Sequence, residues 1–201
     1  MKLSLFFLTI FFTSISFAQN GKKMSTTHTN IVKIGTNTFF EGDEFPFNVS
    51  WETKVANRQS LQISLSPKLY KNNSNDISGL ALGLAYRKYI SKGREGLQGL
   101  YFSPQIKYGV LRDKQQYSVL DPQTSLRIQK TDIFKTNSLS LAALFGKHWV
   151  YKSGFSLDVG GGIGFYNNKY NVDNTNNFYY GNNENEYGIS PNLNISVGYA
   201  F

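Results

Sequence analysis

The chain has 201 residues, of which 40% are hydrophobic, 15% aromatic and 17% charged, a composition that suits one folded domain and carries no hint of disorder. There is no cysteine, which removes a disulfide framework, a thiolate metal site, a Cys nucleophile and lipid attachment through a cysteine. The formal net charge of +8 comes from Lys and Arg scattered along the chain rather than gathered in a stripe, so no nucleic-acid partner is expected.

Residues 1–18 have the layout of an export signal: Lys2, an apolar run from Leu3 to Phe12, then Ser16-Phe17-Ala18 with small residues at the two positions a signal peptidase reads. The run is shorter than the roughly 20 residues a spanning helix needs, so cleavage before Gln19 is expected. Residues 19–30 then make a flexible mature N-terminus that carries a solvated His28, and 31–201 make the folded domain.

From there the chain alternates with a period of two, the signature of strands. Near Ile31 to Thr38, Val32, Ile34 and Thr36 oppose Lys33, Gly35 and Asn37. Phe45, Phe47, Val49 and Trp51 oppose Asn48, Ser50, Glu52 and Lys54, and Leu61, Ile63, Leu65 and Leu69 oppose Gln62, Ser64, Ser66 and Lys68. Leu80, Leu82, Leu84 and Tyr86 oppose Gly79, Ala81, Gly83, Ala85 and Arg87. Leu100, Phe102, Ile106, Tyr108 and Val110 oppose Tyr101, Ser103, Gln105, Lys107 and Gly109. From Ser138 to Tyr151, Leu139, Leu141, Ala143, Phe145, Trp149 and Tyr151 share a face with Lys147, which must snorkel at an interface. Phe155, Leu157, Val159, Ile163 and Phe165 oppose Ser156, Asp158, Gly160, Gly162 and Gly164. The last segment, Tyr187 to Phe201, alternates without a break: Leu193, Ile195, Val197, Tyr199 and Phe201 against Asn192, Asn194, Ser196, Gly198 and Ala200.

One such strand cannot tell a dry core from a lipid-facing wall. The set can, because the polar faces collect Lys33, Glu52, Lys54, Lys68, Arg87, Lys107 and Asp158. Those groups fill an interior only as ion pairs inside a closed cylinder, with the apolar rows turned outward. The expectation is an all-β fold, an eight-stranded antiparallel up-and-down transmembrane β-barrel. Trp51, Tyr86, Trp149, Tyr151, Tyr187, Tyr199 and Phe201 are its membrane-interface aromatics. Tight links at Ala56 to Gln59 and Lys152 to Gly154, with Ile90 to Leu97 the longest on that side, alternate with long polar ones at Arg112 to Lys135 and Asn167 to Glu186. That asymmetry puts both termini in the periplasm.

The signal ending Ser16-Phe17-Ala18-Gln19, the segment Val49-Ser50-Trp51-Glu52, the stretch Leu84-Ala85-Tyr86-Arg87-Lys88-Tyr89 followed by Leu100-Tyr101-Phe102-Ser103-Pro104, and the terminal Phe201 resemble the small outer-membrane β-barrel proteins of Bacteroidetes-type bacteria, many of uncharacterised function. The ending Val197-Gly198-Tyr199-Ala200-Phe201 resembles the C-terminal recognition strand of such proteins. The resemblance implies a Gram-negative outer membrane, with lipopolysaccharide and other outer-membrane lipids as surroundings and the export and barrel-assembly machinery as partners. It carries over no catalytic residue.

Candidate chemistry is sparse. His148 falls near the short-link end as a lumen or interfacial histidine, and two lone His make no metal site. Gly160-Gly161-Gly162-Ile163-Gly164 lies inside a strand with no helix or Lys-Ser/Thr pair after it, so close backbone packing is expected rather than a phosphate cradle. Glu52 and Asp158 are read as lumen ion-pair carboxylates before a paired-carboxylate site. The last long loop, rich in Asn, offers Tyr170, Phe178, Tyr179 and Tyr180 to an external ligand if there is one. No catalytic residue, metal or cofactor is expected, and the function expected is a non-enzymatic structural or loop-mediated binding role in the envelope. The alternatives are a lipid-modifying enzyme (deacylase or acyltransferase) and a periplasmic lipocalin-like binding barrel.

Overall fold

The computed structural model of the chain describes residues 28–39, 47–72, 75–91, 96–120, 127–173 and 185–201. The expected signal 1–18 lies outside them, as does most of the segment that follows it.

Every regular element described is a strand: β1 Asn30–Phe39, β2 Phe47–Ala56, β3 Gln59–Lys71, β4 Asn75–Tyr89, β5 Gly99–Leu120, β6 Arg127–Val150, β7 Phe155–Asp173 and β8 Asn185–Ala200. Each is antiparallel to its sequence neighbours, and β8 returns to pair with β1, which closes the sheet into a barrel. The seam runs from Ile31 opposite Ala200 to Phe39 opposite Asn192. Backbone bonds clip it at its end: the Asn30 N–H donates to the Phe201 carbonyl at 3.1 Å and the Phe201 N–H to the Asn30 carbonyl at 2.9 Å. Closure leaves no open sheet edge along the seam, the usual solution to the edge problem.

The turns at this end are short for identifiable reasons. Arg58 takes a φ of 59° in the β2–β3 turn, next to a register shift between Lys54 and Ala56. Gly154, with a φ of 87°, donates its N–H to the Tyr151 carbonyl at 3.0 Å, a backbone conformation that suits glycine. The β4–β5 link folds inward at Gly96, Leu97 and Gln98, all buried. With an even number of strands, both barrel-strand termini share this turn end.

Alternation sorts the side chains to two walls. Outward stand Ile34, Ile63, Leu82, Leu84, Ile106, Leu141, Phe165 and Val197, all exposed. Inward, Ser50, Glu52, Ala81, Arg87, Ser103, Asp158, Asn192 and Asn194 are buried. The interior is layered along the axis. At the turn end Ile31, Leu97, Val150 and Ala200 pack with the rings of Tyr89 and Tyr101, an ionic layer follows, and Ala81 and Leu111 pack with Ile77 toward the loop end.

Two expectations are corrected. The long link expected at Arg112 to Lys135 is largely strand, β5 and β6 reaching 22 and 24 residues. The one expected at Asn167 to Glu186 begins and ends as strand, β7 continuing to Asp173 and β8 starting at Asn185, with 174–184 outside the described residues. Tyr170 therefore sits on β7 rather than in a loop. The physical reason is that these extensions carry polar residues on both faces, so the hydrophobic alternation that betrays a strand fades where pairing continues.

Candidate functional site

The inner wall brings four charged residues into one cluster. Lys33 on β1 places Nζ 2.5 Å from Glu52 Oε2 and 3.1 Å from Asp158 Oδ2. Arg87 on β4 places Nη1 2.5 Å from Asp158 Oδ2 and 3.4 Å from Glu52 Oε2. All four side chains are 0–3% exposed. Two cations thus face two carboxylates, and each carboxylate touches both cations, the arrangement that offsets the large desolvation cost of buried charge.

Hydroxyls and amides complete the shell. Ser60 donates to Glu52 Oε1 at 2.5 Å, Tyr89 donates to the same oxygen at 2.6 Å, and Tyr101 donates to Asp158 Oδ1 at 2.7 Å. Lys33 also donates to Gln62 Oε1 at 2.9 Å. The Tyr101 ring lies under the Arg87 guanidinium, 4.3 Å from centroid to Cζ, a cation–π contact added to the ion pairs. That ring crosses the lumen over two glycines: a Cβ on Gly146 would come within 2.4 Å of the Tyr101 hydroxyl, and one on Gly160 within 2.6 Å. The glycine-rich stretch of β7 thereby makes room for an aromatic bridge.

Of the ionic residues assigned inward from sequence, Lys33, Glu52, Arg87 and Asp158 are brought together. Lys54, Lys68 and Lys107 are half-buried and stand apart from the cluster's ion pairs. Parity places them on the correct face but at other heights along the axis. Lys107, with Gln62, Arg87, Gln105, Asn48 and Asn194, lines a small polar cavity on the loop side of the cluster, with room for about one water.

His148 is fully buried, and Tyr89 Oη lies 3.0 Å from its Nδ1. It stands beside the cluster, with its ring stacked on that of Tyr89. His28, at the start of the described chain, is half-buried. Among the described residues no group of three His, Cys, Asp or Glu could hold a metal ion.

The outer wall carries the aromatics. Trp51, Tyr187, Tyr199 and Phe201 are exposed, while Tyr86, Trp149 and Tyr151 are half-buried. All but Tyr187 gather toward the turn end, and Tyr187 marks the other side of the belt. Lys147, which interrupts the apolar face of β6, lays its ammonium 4.9 Å from the Trp149 ring centroid. Of the loop-binding candidates, Tyr170 donates to Glu186 Oε2 at 2.6 Å, and Phe178, Tyr179 and Tyr180 lie outside the described residues. Sequence reasoning missed Tyr89 and did not single out Tyr101. The signal was there: both have the parity of the inner wall, Tyr89 two residues beyond Arg87.

The cluster's coherence is testable. Glu52→Gln leaves the cations in excess and replaces an acceptor shared by Ser60, Tyr89, Lys33 and Arg87. Hydrogen bonds to charged groups contribute about 1.5–3 kcal/mol each, so thermal unfolding followed by circular dichroism is expected several degrees lower. An unchanged melt would contradict the pairing.

Fold and site together define a closed eight-stranded antiparallel barrel with an apolar outer wall and an interior that holds a buried, charge-balanced cluster. The chain belongs to the family described as "Protein of unknown function (DUF3575)", whose model matches residues 5–201. No curated protein matches the chain, and no solved structure does.

Proposed function

We propose that the protein is an integral outer-membrane β-barrel of a Gram-negative envelope, non-conducting and non-enzymatic, that acts through the surfaces it presents, with its termini in the periplasm. One observation carries the reading: Leu, Ile, Val and Phe rows stand exposed on the outer wall while Lys33, Glu52, Arg87 and Asp158 are sealed within. In water that arrangement would expose a continuous apolar surface far larger than soluble monomers tolerate. In a bilayer it matches a lipid-facing belt around a polar lumen, and the closed ladder satisfies the backbone without solvent. The export signal on 1–18 and the aromatic C-terminal strand agree with that destination.

Fractionation tests the location. The expected result is that the mature protein stays with the membrane pellet after osmotic release and alkaline washing and needs detergent to dissolve. Recovery as a soluble periplasmic protein would reject the reading in favour of a lipocalin-like barrel. Planar bilayers test the seal: on this reading the ionic layer and the packing of Ile31, Leu97, Val150 and Ala200 beneath it close the lumen to ions. Steady pore currents would contradict it.

A further inference from the structure

On the loop side of the apolar belt, three cations gather on the outer face of adjacent strands. Asp113, Asp132 and Glu186 share the inner side, where they accept hydrogen bonds from Gln115 at 2.8 Å, Tyr117 at 2.7 Å and Tyr170 at 2.6 Å. Arg112, Lys135 and Lys169 turn to the outer side, all exposed, their neighbours Leu111, Thr136 and Asn168 being buried. The ladder fixes them on three adjacent strands: Arg112 is directly opposite Lys135, and Lys169 is opposite Asn137, two residues further along β6. Like charges directly opposite one another destabilise a sheet. An anion held against the outer side here would meet three cations on neighbouring strands at once.

Below the three cations, past Val110, Asn137 and Asn167, the wall is apolar, with Tyr108, Leu139, Leu141 and Phe165 exposed. A ligand that spans both zones has phosphates above and hydrocarbon below. Strands about 4.8 Å apart spread the cations over roughly 10 Å, enough for more than one phosphate. Asp76, an acid of the same rim, lies on the flank opposite Lys71 and Lys114.

Resting on the outer-membrane reading above, we propose that Arg112, Lys135 and Lys169 form a binding site for the phosphates of a phosphorylated glycolipid of the lipopolysaccharide type, whose acyl chains lie along the adjoining apolar wall. The test uses the full-length mature protein, refolded in detergent and first shown to be a folded, detergent-dependent barrel, so that failure of the membrane reading registers before the binding step. Bisphosphorylated lipid A is added and retained lipid is counted by native mass spectrometry, with phosphatidylglycerol and inorganic phosphate as competitors. A surface cation contributes roughly fivefold to binding an anionic lipid head group. Arg112→Gln/Lys135→Gln/Lys169→Gln is therefore expected to lower lipid A retention about a hundredfold, while the charge-matched control Lys71→Gln/Lys88→Gln/Lys152→Gln retains it within a few-fold. Equal retention by both variants would overturn the site. Displacement of lipid A by inorganic phosphate as readily as by lipid A itself would overturn the glycolipid assignment.

Discussion

Asp158→Ala is expected to destabilise the barrel by about 3–5 kcal/mol, the cost of leaving buried charge without its partner. The carboxylate touches Lys33, Arg87 and Tyr101 at once, and its loss leaves two cations sharing Glu52 alone. Urea unfolding of the refolded protein measures the loss. The double variant Arg87→Gln/Asp158→Asn restores charge balance, so it should recover a large part of what the single variant loses. Additive losses in the double variant would show that the contacts matter only as packing.

Leu84→Arg has a larger diagnostic value than its size suggests. Leu84 is exposed, opposite Ile63 on β3 and Ile106 on β5, in the middle of the apolar belt. On a wall facing lipid an arginine at the midplane costs about 2–4 kcal/mol, whereas on a water-facing surface the same change costs next to nothing. Folding into liposomes, compared with folding in urea-diluted buffer, separates the two outcomes. A neutral or stabilising substitution would remove the basis of the membrane reading.

Strands and facings were legible wherever the two faces of the sheet meet different surroundings. Ile195 and Val197 against Asn194 and Ser196 needed only the period of two, and the structure places them outward and inward accordingly. Beyond the belt the signal vanished: Gln115, Gln116, Tyr117 and Ser118 do not alternate in polarity, although β5 runs through them. Partnerships within the lumen were illegible for a different reason. Parity tells which wall a side chain faces, but its height depends on register, which turn geometry and closure set. Lys33 and Lys68 look alike in sequence, yet only Lys33 stands level with Glu52 and Asp158. Tyr101 is similar: its lumen parity was evident, but its bridge over Gly146 and Gly160 to Asp158 required the coordinates.

The seam between β1 and β8 also imposes a timetable. Lys33 and Glu52 meet across a local hairpin, whereas Asp158 arrives from β7 and the ring cannot shut until β8 is made. Contacts this remote in sequence form late and slowly. During that wait the nascent sheet holds a surplus of positive charge at its centre, and its first strand has one bare side. Neutrality thus waits for β7 and closure for β8, so both fall to the last strands to dock, and a sheet lacking those strands would have neither.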